Sequence, residues 1–457
     1  MRKFILVFFS CVILIMLTSC QKNNKTNTNT DEYLTPESNE YEENIFDIKY
    51  RKAIAVLDEY STVLDDSGLY GIYLELAKKI IENERNSISI AYSNEDTRNI
   101  GLSVERVRRD IPLIKFIRYN NSKYNMESNA FNGCEQFTIG SGTENDPFII
   151  NTPMELLYLS KETYFGNSDG VYYALGSDID LKGTYWVPIG YIARNDSFSL
   201  IYDSYYGHAF KGHFDGRGHV IKNLRVMETD YYYYTSLRFL VGLFGGNEGE
   251  IKNVSLDNFV IDIYSFYAFG KNSSLEIGSI CAINNGTISN CYSSGLIRLK
   301  CDDTAYYDRY LSPNIFEIGK IASYNDENGT ISNCIANVDI DVDIQFKRFR
   351  DDGPRGNAII SNIALGDGIC NNCLTVGSLN TIGVCEVVDN INSFNCYTYI
   401  DELNSNNTCT KEDLNNSYFY INTLGLNPEI WDLENIIFEN NAYMKDNKPI
   451  LKNIGND

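Results

Sequence analysis

Two hydrophobic periods divide the chain. From about Phe46 to Tyr119, apolar residues recur at helical spacing. Ile54, Leu57 and Val63/Leu64 form one stripe. Leu69, Ile72, Tyr73, Leu76, Ala77 and Ile80 form a stronger one. Leu102, Val104, Val107 and Ile111 form a weaker third, which Pro112 ends or kinks. This predicts three amphipathic helices in a segment spanning 45–125, expected to cover one end of the region C-terminal to it. From Phe137 the texture changes to short strand-like runs broken by Gly, Asn and Asp.

Within this second region one phrase recurs: an apolar residue, a spacer, Asn, then Val or Cys. The copies are Ile251-Lys252-Asn253-Val254, Ile288-Ser289-Asn290-Cys291, Ile331-Ser332-Asn333-Cys334, the longer Ile369-Cys370-Asn371-Asn372-Cys373, and the degraded Ile391-Asn392-Ser393-Phe394-Asn395-Cys396. Self-similarity at this interval predicts a stacked array. One unit reads as a strand over 276–283, a turn at Asn284-Asn285-Gly286, a strand over 287–292, a turn at Ser293-Ser294-Gly295 and a strand over 296–299. Three short strands and two turns make one coil of a parallel β-solenoid, expected to be right-handed. The fold class is therefore mainly β, a solenoid over 137–400 preceded by a small α-helical segment and followed by a cap region at 401–457.

Stacking superimposes equivalent positions. It predicts a column of Val254, Cys291, Cys334, Cys373 and Cys396, a second of Ile251, Ile288, Ile331 and Ile369, and a third of Asn253, Asn290, Asn333, Asn372 and Asn395. The Ile and Val/Cys of one phrase lie three residues apart, on opposite faces of a flat strand. A bend at the Asn brings both inward and places the Asn column at a corner, with its amides bonded to neighbouring coils. The column cysteines read as small buried hydrophobes. Neighbours along the stack also lie within disulfide range. Cys370 and Cys373 have metal-like spacing but no second close pair, so no metal is assigned.

The first nineteen residues read as a targeting segment rather than as fold. Arg2 and Lys3 precede an apolar run, Phe4–Leu17, shorter than the ~20 residues of a membrane span. Leu17-Thr18-Ser19-Cys20 resembles the lipobox of bacterial lipoprotein signal peptides. The resemblance implies cleavage before Cys20 and lipid attachment to it, hence a membrane partner through a lipid anchor and a cell-envelope location, at the outer membrane or cell surface. Acyl chains contribute ~0.8 kcal/mol per buried CH₂. Residues 20–44 are rich in Asn, Thr and Glu and read as a flexible tether. The formal net charge of −22 argues against a nucleic-acid partner, which demands Lys and Arg at phosphates.

Gly242-Leu243-Phe244-Gly245 with Gly249-Glu250-Ile251-Lys252-Asn253-Val254, and Gly278 with Gly286-Thr287-Ile288-Ser289-Asn290-Cys291-Tyr292, resemble the GLUG motif of bacterial surface proteins. Upstream, Gly140–Phe148, Leu175–Leu181, Trp186–Gly190 and Phe210–His219 are similar to the stretches that precede such repeats. The resemblance covers roughly 137–457 and implies a β-helical, cell-surface, adhesin-like protein without agreed catalytic residues. Some members of that family add a metallopeptidase domain, but His-Glu-X-X-His does not occur in this chain.

No catalytic motif or cofactor site is found, and the protein is read as a non-enzyme. His208, His213 and His219 cluster in sequence, yet His213 and His219 flank the Asp215-Gly216 and Gly218 turn, so a structural role is favoured over a metal site. Asp339, Asp341 and Asp343 alternate with Val338, Ile340, Val342 and Ile344, giving an outward carboxylate row. The insertions Ile192–Tyr206, Glu228–Arg238, Tyr264–Ser274, Asp302–Phe316 and Gln345–Gly356 are more promising. The last four should project from one edge of the stack. They carry Tyr231, Tyr232, Tyr233, Tyr234, Phe266, Tyr267, Tyr306, Tyr307, Tyr310, Arg348, Phe349 and Arg350. Tyr and Arg dominate binding hot spots, so this set predicts an aromatic wall for a host protein or glycan. The same residues also suit hairpins packing on themselves, and both readings stand. A polysaccharide-lyase-like solenoid enzyme and a purely structural envelope scaffold are the alternative functions.

Overall fold

A computed structural model describes residues 45–65, 72–107, 131–443 and 448–452, apart from 105, 132, 183, 185, 192, 197–203, 231–235, 266–273, 304–313, 347–355, 384, 389–391, 400–407, 435 and 440–441. In a representative coil four strands succeed one another: β1 (Ser274–Gly278), β2 (Cys281–Asn284), β3 (Thr287–Ser289) and β4 (Tyr292–Asp303). Each pairs in parallel with its counterpart in the coils before and after. The chain is a parallel β-solenoid. Its walls are an eight-stranded sheet through β3, a nine-stranded sheet through β4, a seven-stranded sheet through β1 and a three-stranded sheet through β2.

The coil therefore has four strands where the sequence predicts three. Gly278-Ser279-Ile280 is a corner that splits the predicted first strand. Conversely, Ser293-Ser294-Gly295 is no turn but part of β4. A side chain at Gly295 would meet the carbonyl of Phe259 at 2.3 Å and its ring at 2.6 Å. Glycine is there for close approach to an aromatic in the coil below, not for a reversal.

The corner between β3 and β4 is the predicted one. Asn290 has φ 51°, and Asn253, Asn333, Asn372 and Asn395 have φ between 53° and 55°. One left-handed residue breaks the alternation, so Ile288 and Cys291 are both buried. Asn tolerates this conformation because its short amide bonds locally. Asn395 Nδ2 donates to Asn372 Oδ1 (2.9 Å), and Asn372 Nδ2 to Asn333 Oδ1 (3.0 Å). The predicted Val/Cys column is buried throughout, and its cysteines Cys291, Cys334, Cys373 and Cys396 are free thiols.

The Ile column needs one correction. Ile331 pairs with Cys370, while Ile369 pairs with Thr330 and is 43% exposed. The fourth phrase is thus not one residue longer. Cys370-Asn371-Asn372-Cys373 is the whole of it, with Cys370 in the isoleucine slot.

A second ladder lies where β2 ends. Asn247 Nδ2 donates to Asn284 Oδ1 (2.7 Å), and Asn284 Nδ2 to Asn325 Oδ1 (2.8 Å). All three are at most 1% exposed. Each amide also meets backbone at the turn into the next strand, as Asn247 Oδ1 does by accepting from Gly249 N (3.1 Å). Gly249 and Gly286, two residues after Asn247 and Asn284, are needed for stacking. A Cβ on Gly286 would lie 2.2 Å from the carbonyl oxygen of Gly249.

Outside the coils, α1 (Ile45–Asp65) and α2 (Ile72–Ser93) pack through Ala53, Leu57, Tyr60, Ala77, Ile81 and Ile88. Leu102, placed on the third stripe, is instead 41% exposed, whereas Val107 is buried. The expected position of the helices is over the array's end. Among the described residues their polar contacts fall on the side, where Tyr60 and Glu59 meet the outer face of the β4 sheet. The start of the core is closed by a helix that the periodicity does not reveal, α3 (Pro153–Tyr164), whose Leu156 and Leu159 join the solenoid core. The C-terminal region also lies along the side. Leu414, Phe419, Tyr420, Trp431 and Phe438 cover Tyr292, Ile335 and Leu374 on the outside of the β4 sheet.

Candidate functional site

The insertions are rooted as expected. Strands of the β4 sheet end at Asp230, Ser265, Asp303 and Phe346, and strands of the β1 sheet resume at Ser236, Ser274, Asn314 and Gly356. Register puts Ser265 beside Asp230 and Cys301, and Asp303 beside Phe346. Four insertions therefore leave one edge within two residues of superimposed positions, with Asp230 and Ser265 level with Cys301 and Ile344. The fifth differs: Ala193–Asp196 and Ser204–Tyr206 form an antiparallel hairpin that joins the edge of the β1 sheet. The proposed contact residues Tyr231, Tyr232, Tyr233, Tyr234, Phe266, Tyr267, Tyr306, Tyr307, Tyr310, Arg348, Phe349 and Arg350 lie outside the described residues, as does Cys20.

Below those roots the β4 sheet carries charge on its outer face. Val338, Ile340, Val342 and Ile344 point inward and are buried, so Asp339, Asp341 and Asp343 point outward as predicted. Two of the three face cations from the preceding coil. Arg298 Nε lies 3.8 Å from Asp341, and Lys300 Nζ lies 4.0 Å from Asp343. That pairing favours a neutralised strand face over a calcium site. Among the described residues no group of three or more His, Cys, Asp or Glu is placed to hold a metal ion.

Arg298 is the centre of the helix contact. Its Nη1 lies 3.0 Å from Asp262 and 3.7 Å from Glu59 of α1, and the Tyr60 hydroxyl donates to Asp262 (3.1 Å). The helical core shares no residue with the solenoid core. This polar cluster ties the two together. Arg298→Ala would leave the 8%-exposed Asp262 without its cation. The expected cost is about 3 kcal/mol, with faster hydrogen exchange across α1 and unchanged exchange in β3. Unchanged protection of α1 would contradict this role.

The histidines do not converge. His213 Nδ1 lies 3.2 Å from Glu250 with its ring stacked on Tyr172 at 4.1 Å. His219 Nδ1 lies 3.3 Å from Asp178, and His208 sits against Gly166. Each has its own neighbours.

One buried group escapes the sequence reading. Lys320 is 1% exposed, and its Nζ donates to the carbonyls of Val376 (2.8 Å) and Gly377 (3.0 Å). Burial holds its amine down to about 7, with Asp339 opposing. The repeat does carry the signal. Gly319-Lys320-Ile321 aligns with Gly278-Ser279-Ile280, and the register of Gly278 with Gly319 places Lys320 in the slot of the wholly buried Ser279. The amine supports a break in the β4 sheet, where Val376 ends one strand and Leu379 begins the next. Its enclosure keeps it from any bound substrate. No family model, curated protein or solved structure matches this chain.

Proposed function

We propose that this protein is a non-catalytic, lipid-anchored component of the bacterial cell envelope, a GLUG-type adhesin-like solenoid that binds through its lateral insertions. The observation that carries the reading is the alignment of four insertion roots, within two residues of one another, at one edge. A rigid stack spaces successive loops by one coil, ~4.8 Å, and this turns separate Tyr-rich segments into one surface. The lipobox-like Leu17–Cys20 and the acidic, Asn-rich segment after it supply the anchor and spacer in this reading. The partner class is a host protein or a glycan. Aromatic rings offer large contact area at low entropic cost, and the Arg348-Phe349-Arg350 run adds planar donors.

Replacing Tyr231–Tyr234 with serine tests this. On a glycan and matrix-protein array the parent should bind a restricted set of ligands, and the variant should lose at least tenfold in affinity for them. Binding that survives the replacement, or a parent that binds nothing, would count against the loop surface. Release of unsaturated oligosaccharides from a polysaccharide panel would instead favour the enzyme reading.

A further inference from the structure

We propose that the interior thiol column is an oxidisable site that closes into two inter-coil disulfides, Cys291–Cys334 and Cys373–Cys396. The four residues come directly after the corner asparagines of four consecutive coils, and the strands before them are in register. All four thiols adopt one arrangement, each donating to the carbonyl two residues back: Ser289 at 3.2 Å, Ser332 at 3.1 Å, Asn371 at 3.2 Å and Phe394 at 3.4 Å. Equivalent atoms therefore repeat at the coil spacing of ~4.8 Å, within the Cα separation a disulfide spans. Contact is already close, since Cys291 N lies 3.4 Å from Cys334 Sγ.

The pairing is set by the ends of the column. Val254 fills the slot before Cys291, so Cys291 has a single thiol neighbour in the column, Cys334. Cys396 is the last phrase of the repeat and has Cys373 as its column neighbour. Four groups in a line pair completely only as first with second and third with fourth. A central Cys334–Cys373 bond would strand both end thiols. Each bond forms by exchange with a small-molecule disulfide such as glutathione disulfide. A protein thiolate attacks it and releases one glutathione thiol. The neighbouring thiolate then attacks the mixed disulfide and releases the second. Two protein S–H bonds become one S–S bond, two protons leave, and the oxidant takes up the two electrons. All four thiols are buried, so exchange needs a coil to open or a chain still folding.

The full chain would be incubated with glutathione disulfide at the urea concentration that first opens the array, returned to buffer, alkylated in denaturant, digested and weighed. The expected result is the loss of four hydrogens, with linked peptides containing Cys291 and Cys334 and, separately, Cys373 and Cys396. Cys334→Val, which places at this slot the residue found at 254, should lose only two hydrogens and leave Cys291 alkylated. Thiols that stay reduced or carry glutathione without internal bonds would overturn the proposal. So would a Cys334–Cys373 bond, or pairs scattered over Cys281, Cys370 and Cys409.

Discussion

Asn284→Leu is expected to destabilise the solenoid by about 3–6 kcal/mol, far more than its near-isosteric size suggests. The side chain is completely buried and makes contacts in three coils. Its Oδ1 accepts from Asn247 (2.7 Å), and its Nδ2 donates to Asn325 (2.8 Å) and to the Gly286 carbonyl (3.1 Å). Leucine supplies none of these. Asn325 Oδ1 loses its donor, the Gly286 carbonyl loses a partner, and Asn247 Nδ2 keeps only its 3.4 Å contacts to Gly249 and Thr287. Each buried polar group left unpaired costs ~1–3 kcal/mol. Asn258 is the natural control. It has φ 53° and donates to Asn223 (2.7 Å), but in an exposed pair. Asn258→Gly keeps the backbone conformation and should cost under about 1 kcal/mol. Urea denaturation of both variants checks the contrast. Equal losses would mean that burial of the ladder does not matter.

That contrast also shows what the sequence makes legible. The outer Asn column is readable because it recurs at fixed distance from an apolar pair, and three-residue spacing of two inward residues demands a bend. Asn247, Asn284 and Asn325 recur as well, but Asn two to four residues before glycine reads equally as an ordinary turn. Only stacking decides that these amides face inward. Register is the other weak point. Ile369 has the chemistry of the slot, yet the αL asparagine sets the count, and counting back two residues from Asn372 gives Cys370. Helix α3 is written in Thr152-Pro153-Met154-Glu155, a capping box with proline at the first turn, and Thr152 and Glu155 do cap each other's backbone. Its hydrophobic stripe is short and lies among strand-like text, so periodicity passes over it. The helices' lateral docking is not readable at all. Among the described contacts it involves Arg298 and Tyr60 meeting acids from strands and a helix far apart in sequence.

Alkaline solution should unfold this protein steeply, because its interior stores protons that the unfolded chain gives up. Burial pushes Cys281, Cys334, Cys370, Cys373 and Cys409 above the ordinary thiol value of 9.0, with Cys370 and Cys409 reaching about 12. Cys396 moves the same way, first through its hydrogen bond with Cys373 and then through burial. Between pH 9 and the folded values, each of these six thiols keeps its proton in the folded state and loses it in the unfolded one. Their stabilisation is complete below pH 9 and is lost as pH rises. Lys320 works in the opposite sense. Its amine is held near 7 when folded against 10.5 when unfolded, so from pH 7 to 10.5 the unfolded chain binds the extra proton and stability rises. These six thiols outweigh the one amine, and Cys134 and Cys385, also raised by partial burial, add to them, so stability falls steeply above pH 9. Below pH 9 the lysine alone gives a gentle upward slope. Urea midpoints from pH 7 to 10.5 should therefore climb slightly and then fall sharply. Replacing Cys334, Cys373 and Cys396 together with valine removes three of these protons, and the fall should become clearly shallower. A fall of unchanged steepness in that variant would show that the column does not hold the protons. Valine at all three slots should leave the folded array intact at neutral pH, because Val254 already occupies the same slot with no exposed surface.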